Sequence, residues 1–511
     1  MWLIIACILL STQAGCAERA VDATLGDMTT PTFFFYDLET SGFSPREARI
    51  MQFAGQRTDM GLKPIGEPVN ELITITPDIL PDIDAILLTG ITPQETIAEG
   101  RSEAEFLHLF HEKIALPGTI FVGYNTVRFD DEFMRFLQYR NFYDAYEWQW
   151  QDERSRWDLL DLVRMTRALR PDGIQWPFDT TGKPTNRLEL LTALNKLDHA
   201  HAHDALSDVM ASIAVARMIR NHQPKLFEFL LRFRDKRKVS ELIMTKEPFV
   251  YTSGKYPSEY EKTTLAVAIA EHPKKQGALV WDLRHDPTPF KNMSPTELAD
   301  AWKWSRDETK LRLPVKTLQF NHCPAVAPLS VLDAPSQTRL HLDLTQIKTN
   351  HIALKAMKDF PAKLRKALEL LDTQRQLEFA SSEQAVDGQL YDGFFDNQDK
   401  QAMRVVRAAE PNELGESLHL KFDDPRLSAL LPLYKARNFP QALTTEERKS
   451  WDAFRRHKLL DGGNRSRLAK YFTRLQEVME RGNLTAHQEY LIEELKLYGE
   501  SIMLSEEEME A

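Results

Sequence analysis

The sequence predicts an α/β domain, followed by a small β barrel with helical insertions and then by a helical domain. Strand-like runs alternate with helical spacing in the first part of the chain. Short strand-like runs broken by proline and glycine come next, and helical periodicity returns from about residue 382. A chain of 511 residues is too long for one hydrophobic core, so several domains are expected.

The first domain is predicted at residues 31–224. Residues 32–36, TFFFY, have the aromatic composition of a buried strand. Further strands are predicted at residues 50–57, 71–76 and 118–123, and helices at residues 102–115 and 130–138. Because strands alternate with helices, we expect a mixed sheet flanked by helices.

The second domain is predicted at residues 225–380 and the third at residues 381–511. Short runs in the second domain predict the strands of a small barrel, at residues 249–253, 265–269, 278–283, 315–320 and 339–344. In the third domain, apolar side chains at helical spacing predict the buried face of a helical bundle, formed by Leu491, Ile492, Leu495, Tyr498 and Ile502.

The composition is that of an ordinary globular protein, with 42% hydrophobic and 27% charged residues. The net charge of -11 excludes a uniformly basic surface but still allows a local cationic groove for nucleic acid. Of the three cysteines, only Cys323 lies in the expected folded body. A disulfide framework is therefore excluded, and a reducing compartment is indicated.

The amino-terminal residues 1–16, MWLIIACILLSTQAGC, partly match a secretory or lipoprotein signal. They have no basic residue before the apolar run, and Gln13 occupies a position that favours an aliphatic residue. We therefore favour Met28 as the initiator, residues 1–30 as an extension outside the fold, and a cytoplasmic location. No other run is long and apolar enough to span a bilayer, so no membrane contact is expected.

A pair of acidic residues follows the aromatic strand. Asp37 and Glu39 are two residues apart, so on an extended chain their side chains point to the same face. Most exposed pairs of this kind are only solvated, but this pair lies at the carboxyl end of a core strand, where α/β sheets bind ligands. Adjacent carboxylates repel each other unless a cation lies between them. The pair therefore indicates a cation site.

Two further segments contain acidic residues in polar surroundings. In GYNTVRFD, Asp130 opens a helix, a position that the helix dipole alone would also favour. In HDALSD, His203 precedes an apolar helix and Asp208 lies five residues later. His199 and His201 lie just upstream, and because their spacing gives no established ligand geometry, we expect both to be exposed loop residues.

The order of these elements is more specific than any one of them. DxE, then NxxxxD, then HxxxxD resembles the DEDD exonuclease superfamily in its histidine-containing branch. The segments GYNTVRFDDEFMRFLQYRNFYDAYEWQW, SRWDLLDLVR, RLELLTALN and HDALSDV resemble the bacterial exonuclease I family. The resemblance continues through LPVKTLQFNHCP, VDGQLYDGFF and YKARNFP, and so covers the chain from about residue 33 to 498.

This resemblance implies a ribonuclease-H-like exonuclease domain, an SH3-like barrel and a C-terminal helical domain. It also implies 3′→5′ degradation of single-stranded DNA to nucleoside 5′-monophosphates, in DNA repair and recombination. Asp37, Glu39, Asp208 and Asp130 would hold two divalent ions, for which oxygen ligands favour Mg²⁺, with Mn²⁺ as an alternative. His203 would act as general base, because imidazole titrates near neutral pH.

The resemblance also suggests substrate contacts. Arg187 and Glu39 match substrate-binding positions, although Arg187 could equally form a surface pair with Glu189. Positions that match single-stranded DNA contacts are Arg135, Tyr146, Trp150, Arg164, Phe229, Lys316 and Asn321. At Phe229 the family's tyrosine is replaced, so a base can stack there without a hydroxyl hydrogen bond. The basic run at residues 232–238 either extends the DNA path or solvates a helix.

The expected partners are single-stranded DNA and the C-terminal tail of single-stranded-DNA-binding protein, and the enzyme is expected to be a monomer. One alternative is a proofreading or RNA-trimming enzyme of the same branch. Such an enzyme needs only the first domain, so the resemblance in the second half of the chain argues against it. A second alternative is a scaffold without catalytic activity. The clustered, mutually repelling carboxylates count against it, because a scaffold has no use for them. A third alternative is a lipoprotein nuclease, which rests on residues 1–16 alone.

Overall fold

The computed structural model describes residues 30–199, 204–304, 306–307, 309–380, 385–415, 418 and 420–503. The predictions about the amino-terminal extension and Met28, and about His201 and His203, lie outside these residues. Within the described ranges, no helix combines the length and the apolar character that a bilayer crossing requires.

A mixed five-stranded sheet forms the centre of the first domain. Its strand order is β3-β2-β1-β4-β5, with bounds β1 Thr32–Thr40, β2 Ile50–Thr58, β3 Val69–Leu72, β4 Thr119–Gly123 and β5 Ser155–Asp158. β2 runs antiparallel to β1, whereas β4 and β5 run parallel to it. The aromatic run forms β1, the central strand. Both faces of a central strand are covered, and Phe33, Phe34 and Phe35 are all buried there.

Helices cover both faces of this sheet. They are α1 Ile83–Thr89, α2 Pro93–Glu99, α3 Glu103–Leu109, α4 Asp130–Arg140, α5 Leu159–Leu169, α6 Leu188–Leu194 and α7 Ala205–His222. The long α7 packs across β1 and β2. The strand predicted at residues 71–76 lies earlier in the chain than expected. It is β3, which ends at Leu72, and Thr76 donates a hydrogen bond to Asp78 in the turn that follows.

The second sheet is antiparallel and has the order β10-β6-β7-β8-β9. Its strands are β6 Phe249–Thr252, β7 Thr263–Glu271, β8 Gly277–Asp282, β9 Val315–Gln319 and β10 Ala325–Pro328. The accompanying helices are α8 Pro224–Arg232, α9 Lys236–Met244, α10 Pro295–Trp302, α11 Ala334–Arg339, α12 Leu344–Ala356 and α13 Phe360–Ala380. α13 packs against α10 and β7, and closes one side of the sheet.

The strand predicted at residues 339–344 is wrong. Leu340, Leu342 and Leu344 alternate as a strand would, but α11 ends at Arg339 and α12 begins at Leu344. The Asp343 side chain accepts hydrogen bonds from two backbone N–H groups of α12, and so acts as its N-cap. The fifth strand is β10, which the sequence analysis missed.

The third domain is helical, as predicted. Its helices are α14 Asn397–Ala408, α15 Pro425–Asn438, α16 Thr445–Leu460, α17 Arg467–Arg481 and α18 Ala486–Ser501. The predicted apolar stripe on α18 is buried throughout. Leu491 and Leu495 share a hydrophobic cluster with Ile83 and Ile86 of α1, so the end of the chain packs back onto the first domain. The domain boundaries near residues 224 and 380 stay predictions.

Candidate active site

Three carboxylates predicted from the sequence lie together at the end of β1. One oxygen each from Asp37, Glu39 and Asp208 lies within 4.8 Å of the others. β1 pairs with β2 through both acidic residues, and this keeps the chain extended there. Leu38 between them is buried on the opposite face, so Asp37 and Glu39 share one face, as the two-residue period of a strand requires.

The start of α7 brings Asp208 to this pair. The Asp204 side chain accepts a hydrogen bond from the Ser207 N–H at 2.9 Å and caps the helix. Asp208 then lies in the first turn of α7, one residue before the buried Val209. Because α7 packs across β1, this turn meets the carboxyl end of the strand.

Asp130 lies near the group of three without belonging to it. It is the first residue of α4, it is buried, and its charge interacts with those of Asp37 and Glu39. The residue before the short turn that leads into α4, Asn125, has a left-handed backbone with φ 76°. This turn follows β4 directly, and it places Asp130 at the same edge of the sheet as Asp37.

Burial and mutual repulsion raise the pKa values of these acids. Burial raises the pKa of Glu39 to about 9, with further contributions from Asp37 and Asp208. Burial likewise raises the pKa of Asp37 well above its ordinary value, and the charges of Asp130 and Asp208 add to the shift. A divalent cation would remove this repulsion, and carboxylate oxygens are the ligands that hard cations prefer. The residues present therefore fit a divalent-metal site.

His199 is not the exposed loop residue that we expected. Only 4% of its side chain is exposed, its Nε2 lies 2.5 Å from Asp208 Oδ1, and its Nδ1 lies 3.0 Å from Thr192 Oγ1. The expectation for His199 failed because it treated this residue as solvated, whereas its ring contacts Thr192 of α6 and Asp208 in the first turn of α7. His203, the predicted general base, lies outside the described residues.

Asp158 has a structural role at the end of β5. Its carboxylate accepts hydrogen bonds from the backbone N–H groups of Asn125 and Val127, and also from Leu160 N–H at the start of α5. It therefore holds the turn before α4 against the end of β5, and helps to define the backbone path that leads to Asp130.

The positions predicted to contact the substrate differ in exposure. Trp150 and Asn321 are exposed, and Tyr146, Phe229 and Lys316 are half-buried. Arg135 is buried beneath the Tyr146 ring and donates to Gln149 Oε1 at 3.0 Å. Arg164 pairs with Asp161 at 2.7 Å. Arg187 is 66% exposed and pairs with Glu189, so both interpretations of this arginine stay open.

A cationic groove lies on the barrel domain and has a volume of about 660 Å³. Besides Lys316, the cations that line it are Lys255, Lys275, Lys303, Arg312 and Arg375. Trp302 and Trp304 add aromatic faces, and no acidic side chain lines the groove among the described residues. The sequence analysis named only Lys316 of this set. The segment AWKWS, which interleaves tryptophans with a lysine, was the signal that it missed.

Family models match nearly all of the described chain. An exonuclease domain matches residues 34–216, an exonuclease I SH3-like domain residues 234–369, and an exonuclease I C-terminal domain residues 384–502. The chain belongs to the exonuclease I family. Exodeoxyribonuclease I of Escherichia coli K12 is 39% identical over 430 residues, which are 83% of this chain and 89% of that protein. The Haemophilus influenzae protein is 38% identical, over 92% of this chain and 98% of that protein.

Solved exonuclease I structures share the whole architecture. The enzyme from Methylocaldum szegediense has a TM-score of 0.85 at 40% identity, over 93% of this chain and 100% of that one. A zinc-bound complex of the E. coli enzyme with single-stranded DNA has a TM-score of 0.85 at 35% identity, over 93% and 99%. A structure described as SSB/exonuclease I with an inhibitor has a TM-score of 0.84 at 36% identity, over 93% and 100%. This member of the exonuclease I family is therefore an exodeoxyribonuclease.

Proposed function

We propose that this protein removes nucleotides from the 3′ end of single-stranded DNA and releases nucleoside 5′-monophosphates, using two Mg²⁺ ions, in DNA repair and recombination. The observation that carries the proposal is the group formed by Asp37, Glu39 and Asp208, with Asp130 beside it. Buried carboxylates that raise each other's pKa values are costly in a protein that binds no cation. Such a site suits phosphodiester hydrolysis.

In this proposal each predicted residue has a defined task. The carboxylates of Asp37, Glu39, Asp208 and Asp130 provide the oxygens that hold the cations. The bound ions would supply Lewis-acid stabilisation of the attacking and leaving oxygens. His203 takes the proton from the attacking water. Arg187 has an exposed guanidinium, which suits it to a phosphate oxygen of the substrate once it leaves Glu189.

The groove on the barrel domain supports a single-stranded substrate. Phosphates need cations, unpaired bases stack on aromatic faces, and the groove offers both through Lys316, Trp302 and Trp304. The groove is positive in a protein whose net charge is negative, which confines attraction for DNA to a small part of the surface. We assign the DNA path to this groove and to the exposed Trp150 and Asn321.

The test is a degradation assay on 5′-labelled oligonucleotides, in single-stranded and duplex form, with Mg²⁺ or with EDTA. We expect a ladder that shortens from the 3′ end of the single strand alone, and no cleavage in EDTA. Asp208→Asn removes a predicted metal ligand without changing the side-chain volume, so it should abolish the ladder. Asp286→Asn is a matched control, because Asp286 is an exposed acid on the barrel domain.

Three outcomes would contradict the proposal. Near-normal degradation by Asp208→Asn would mean that the site lies elsewhere. Faster degradation of single-stranded RNA of the same sequence would favour a ribonuclease. Equal rates on duplex DNA would remove the role of the groove, since a duplex does not present its bases for stacking.

We also propose that the protein is a monomer and binds the C-terminal tail of single-stranded-DNA-binding protein. The SSB/exonuclease I structure supports the second point for a relative that covers most of this chain. Light scattering of the purified protein tests the first point. Fluorescence anisotropy with a labelled tail peptide tests the second, with a peptide of reversed sequence as control.

A further inference from the structure

A series of buried contacts joins the first domain to the barrel domain close to the active site. The Tyr36 hydroxyl donates to Asp131 Oδ1 at 2.6 Å, and the other carboxylate oxygen of Asp131 pairs with Arg156. The second terminal nitrogen of Arg156 donates to the backbone carbonyl of Asn321 at 2.7 Å. Tyr36, Asp131 and Arg156 are all buried. The contacts therefore run from β1 through α4 and β5 to the barrel.

Each end of the Tyr36–Asp131 hydrogen bond lies next to a predicted metal ligand. Tyr36 directly precedes Asp37 on β1, and Asp131 directly follows Asp130 at the start of α4. The bond therefore restricts the separation of β1 and α4 one residue away from each of the two acids. An error of about 1 Å in such a separation is enough to lower catalysis about 100-fold.

Arg156 holds this arrangement from the side of the barrel. It lies on β5, where it pairs with Phe121 of β4, and so has a fixed place in the sheet. Its backbone carbonyl also accepts a hydrogen bond from Cys323 Sγ at 3.2 Å, so the barrel segment at residues 321–323 contacts it twice. Loss of the Arg156 side chain would leave the Asp131 carboxylate buried beside Tyr36 without this cation.

We propose that Arg156 is a positioning residue for the exonuclease reaction. Through Asp131 and Tyr36 it holds Asp37 and Asp130 at the separation that metal binding needs, and it makes this separation depend on the docked barrel. The inference rests on the proposed function, because it assigns a role within the same site. Arg156 itself touches neither the substrate nor the ions.

The test compares the full-length protein with Arg156→Met and Tyr36→Phe. Isothermal titration with Mn²⁺ measures metal affinity, and oligonucleotide degradation gives kcat and KM. We expect both variants to bind Mn²⁺ more weakly and to lose kcat, by about 10–100-fold for Arg156→Met, with an unchanged KM. Tyr36→Phe removes one oxygen from the same contact, so it keeps the test valid if Arg156→Met fails to fold.

Arg167→Met is the matched control. Arg167 is buried and pairs with Glu261 of the barrel domain at 2.8 Å, so it joins the same two domains without contacting the neighbours of the catalytic acids. The Arg167→Met variant should lose thermal stability but keep the Mn²⁺ affinity and the kcat of the wild type. Unchanged Mn²⁺ affinity in folded Arg156→Met and Tyr36→Phe, or an equal loss in Arg167→Met, would overturn the inference. If the wild type degraded no DNA, the proposed function would fail, and the Mn²⁺ titration would still test the positioning role.

Discussion

Arg437 lies between two buried aspartates that are far apart in the chain. It donates to Asp78 Oδ2 at 2.8 Å and forms two hydrogen bonds with Asp387, at 2.8 and 2.7 Å. Asp78 belongs to the first domain, whereas Arg437 and Asp387 belong to the helical domain. Arg49, next to β2, also reaches Asp387, at 3.2 Å. A buried ion network therefore joins the nuclease domain to the helical domain.

Arg437→Met should destabilise the protein strongly. The substitution leaves Asp78 and Asp387 buried without their shared cation, and breaking a buried ion pair costs about 3–5 kcal/mol. Urea unfolding followed by circular dichroism measures the change in free energy. Arg101→Met is the control, since Arg101 is 50% exposed in its pair with Glu71 and should contribute less than about 1 kcal/mol. Equal effects of the two substitutions would contradict the structural importance of the network.

The same network should make stability depend on acid pH. Burial opposes ionisation of Asp387, but the guanidinium groups of Arg437 and Arg49 outweigh it and hold the pKa of Asp387 well below its ordinary value of 3.8. The unfolded chain therefore binds more protons at low pH, and the stability that Asp387 contributes above pH 3.8 is lost as the pH falls below it. Wild type should exceed Asp387→Asn in free energy of unfolding at pH 7, and this difference should shrink toward pH 3. A constant difference would contradict the assignment.

The sequence predicted the parts of the fold that depend on local pattern. The aromatic run at residues 32–36 needs burial on both faces, which the centre of a sheet provides. The two-residue period of the same strand then puts the side chains of Asp37 and Glu39 on one face. The leucines at residues 340–344 show the limit, because an N-cap at Asp343 outweighs strand-like alternation. The start of a helix was the deciding local signal there, and the pattern of apolar residues was not.

Contacts between distant segments could not be predicted from one sequence. Arg437 and Asp78 are 359 residues apart, and Tyr36 and Asp131 are 95 residues apart. Nothing in the local sequence of either member points to its partner, because each pair depends on how whole elements pack. The same limit applies to His199, whose contact with Asp208 depends on how α6 and α7 meet.

Removal of metal should make thermal stability fall as the pH rises. Burial, with the charges of Asp37 and Asp208, raises the pKa of Glu39 from 4.5 to about 9. Above pH 4.5 the folded metal-free protein therefore keeps a proton that the unfolded chain has lost. Its free energy of unfolding then falls as the pH rises from 4.5 to about 9. In EDTA, the Tm should fall between pH 6 and pH 9. Glu39→Gln should flatten this slope, and Mg²⁺ should do the same in the wild type, since a bound cation compensates the ionised carboxylates. An equal slope with and without Mg²⁺ would contradict a cation site here.

His199, which contacts Asp208, and His203, the proposed general base, should differ in their response to Mg²⁺. If His203 is the general base, as we propose, His203→Ala should lower kcat by about 10²–10⁴-fold at every Mg²⁺ concentration. His199 contacts a predicted metal ligand, so His199→Ala should weaken metal binding by about 10–100-fold and recover activity at high Mg²⁺. Initial rates across a Mg²⁺ titration measure both effects, with His108→Ala, at 72% side-chain exposure, as the control. Recovery of His203→Ala at high Mg²⁺ would transfer the base assignment to another group, because a missing proton acceptor cannot be replaced by tighter occupancy of the metal site.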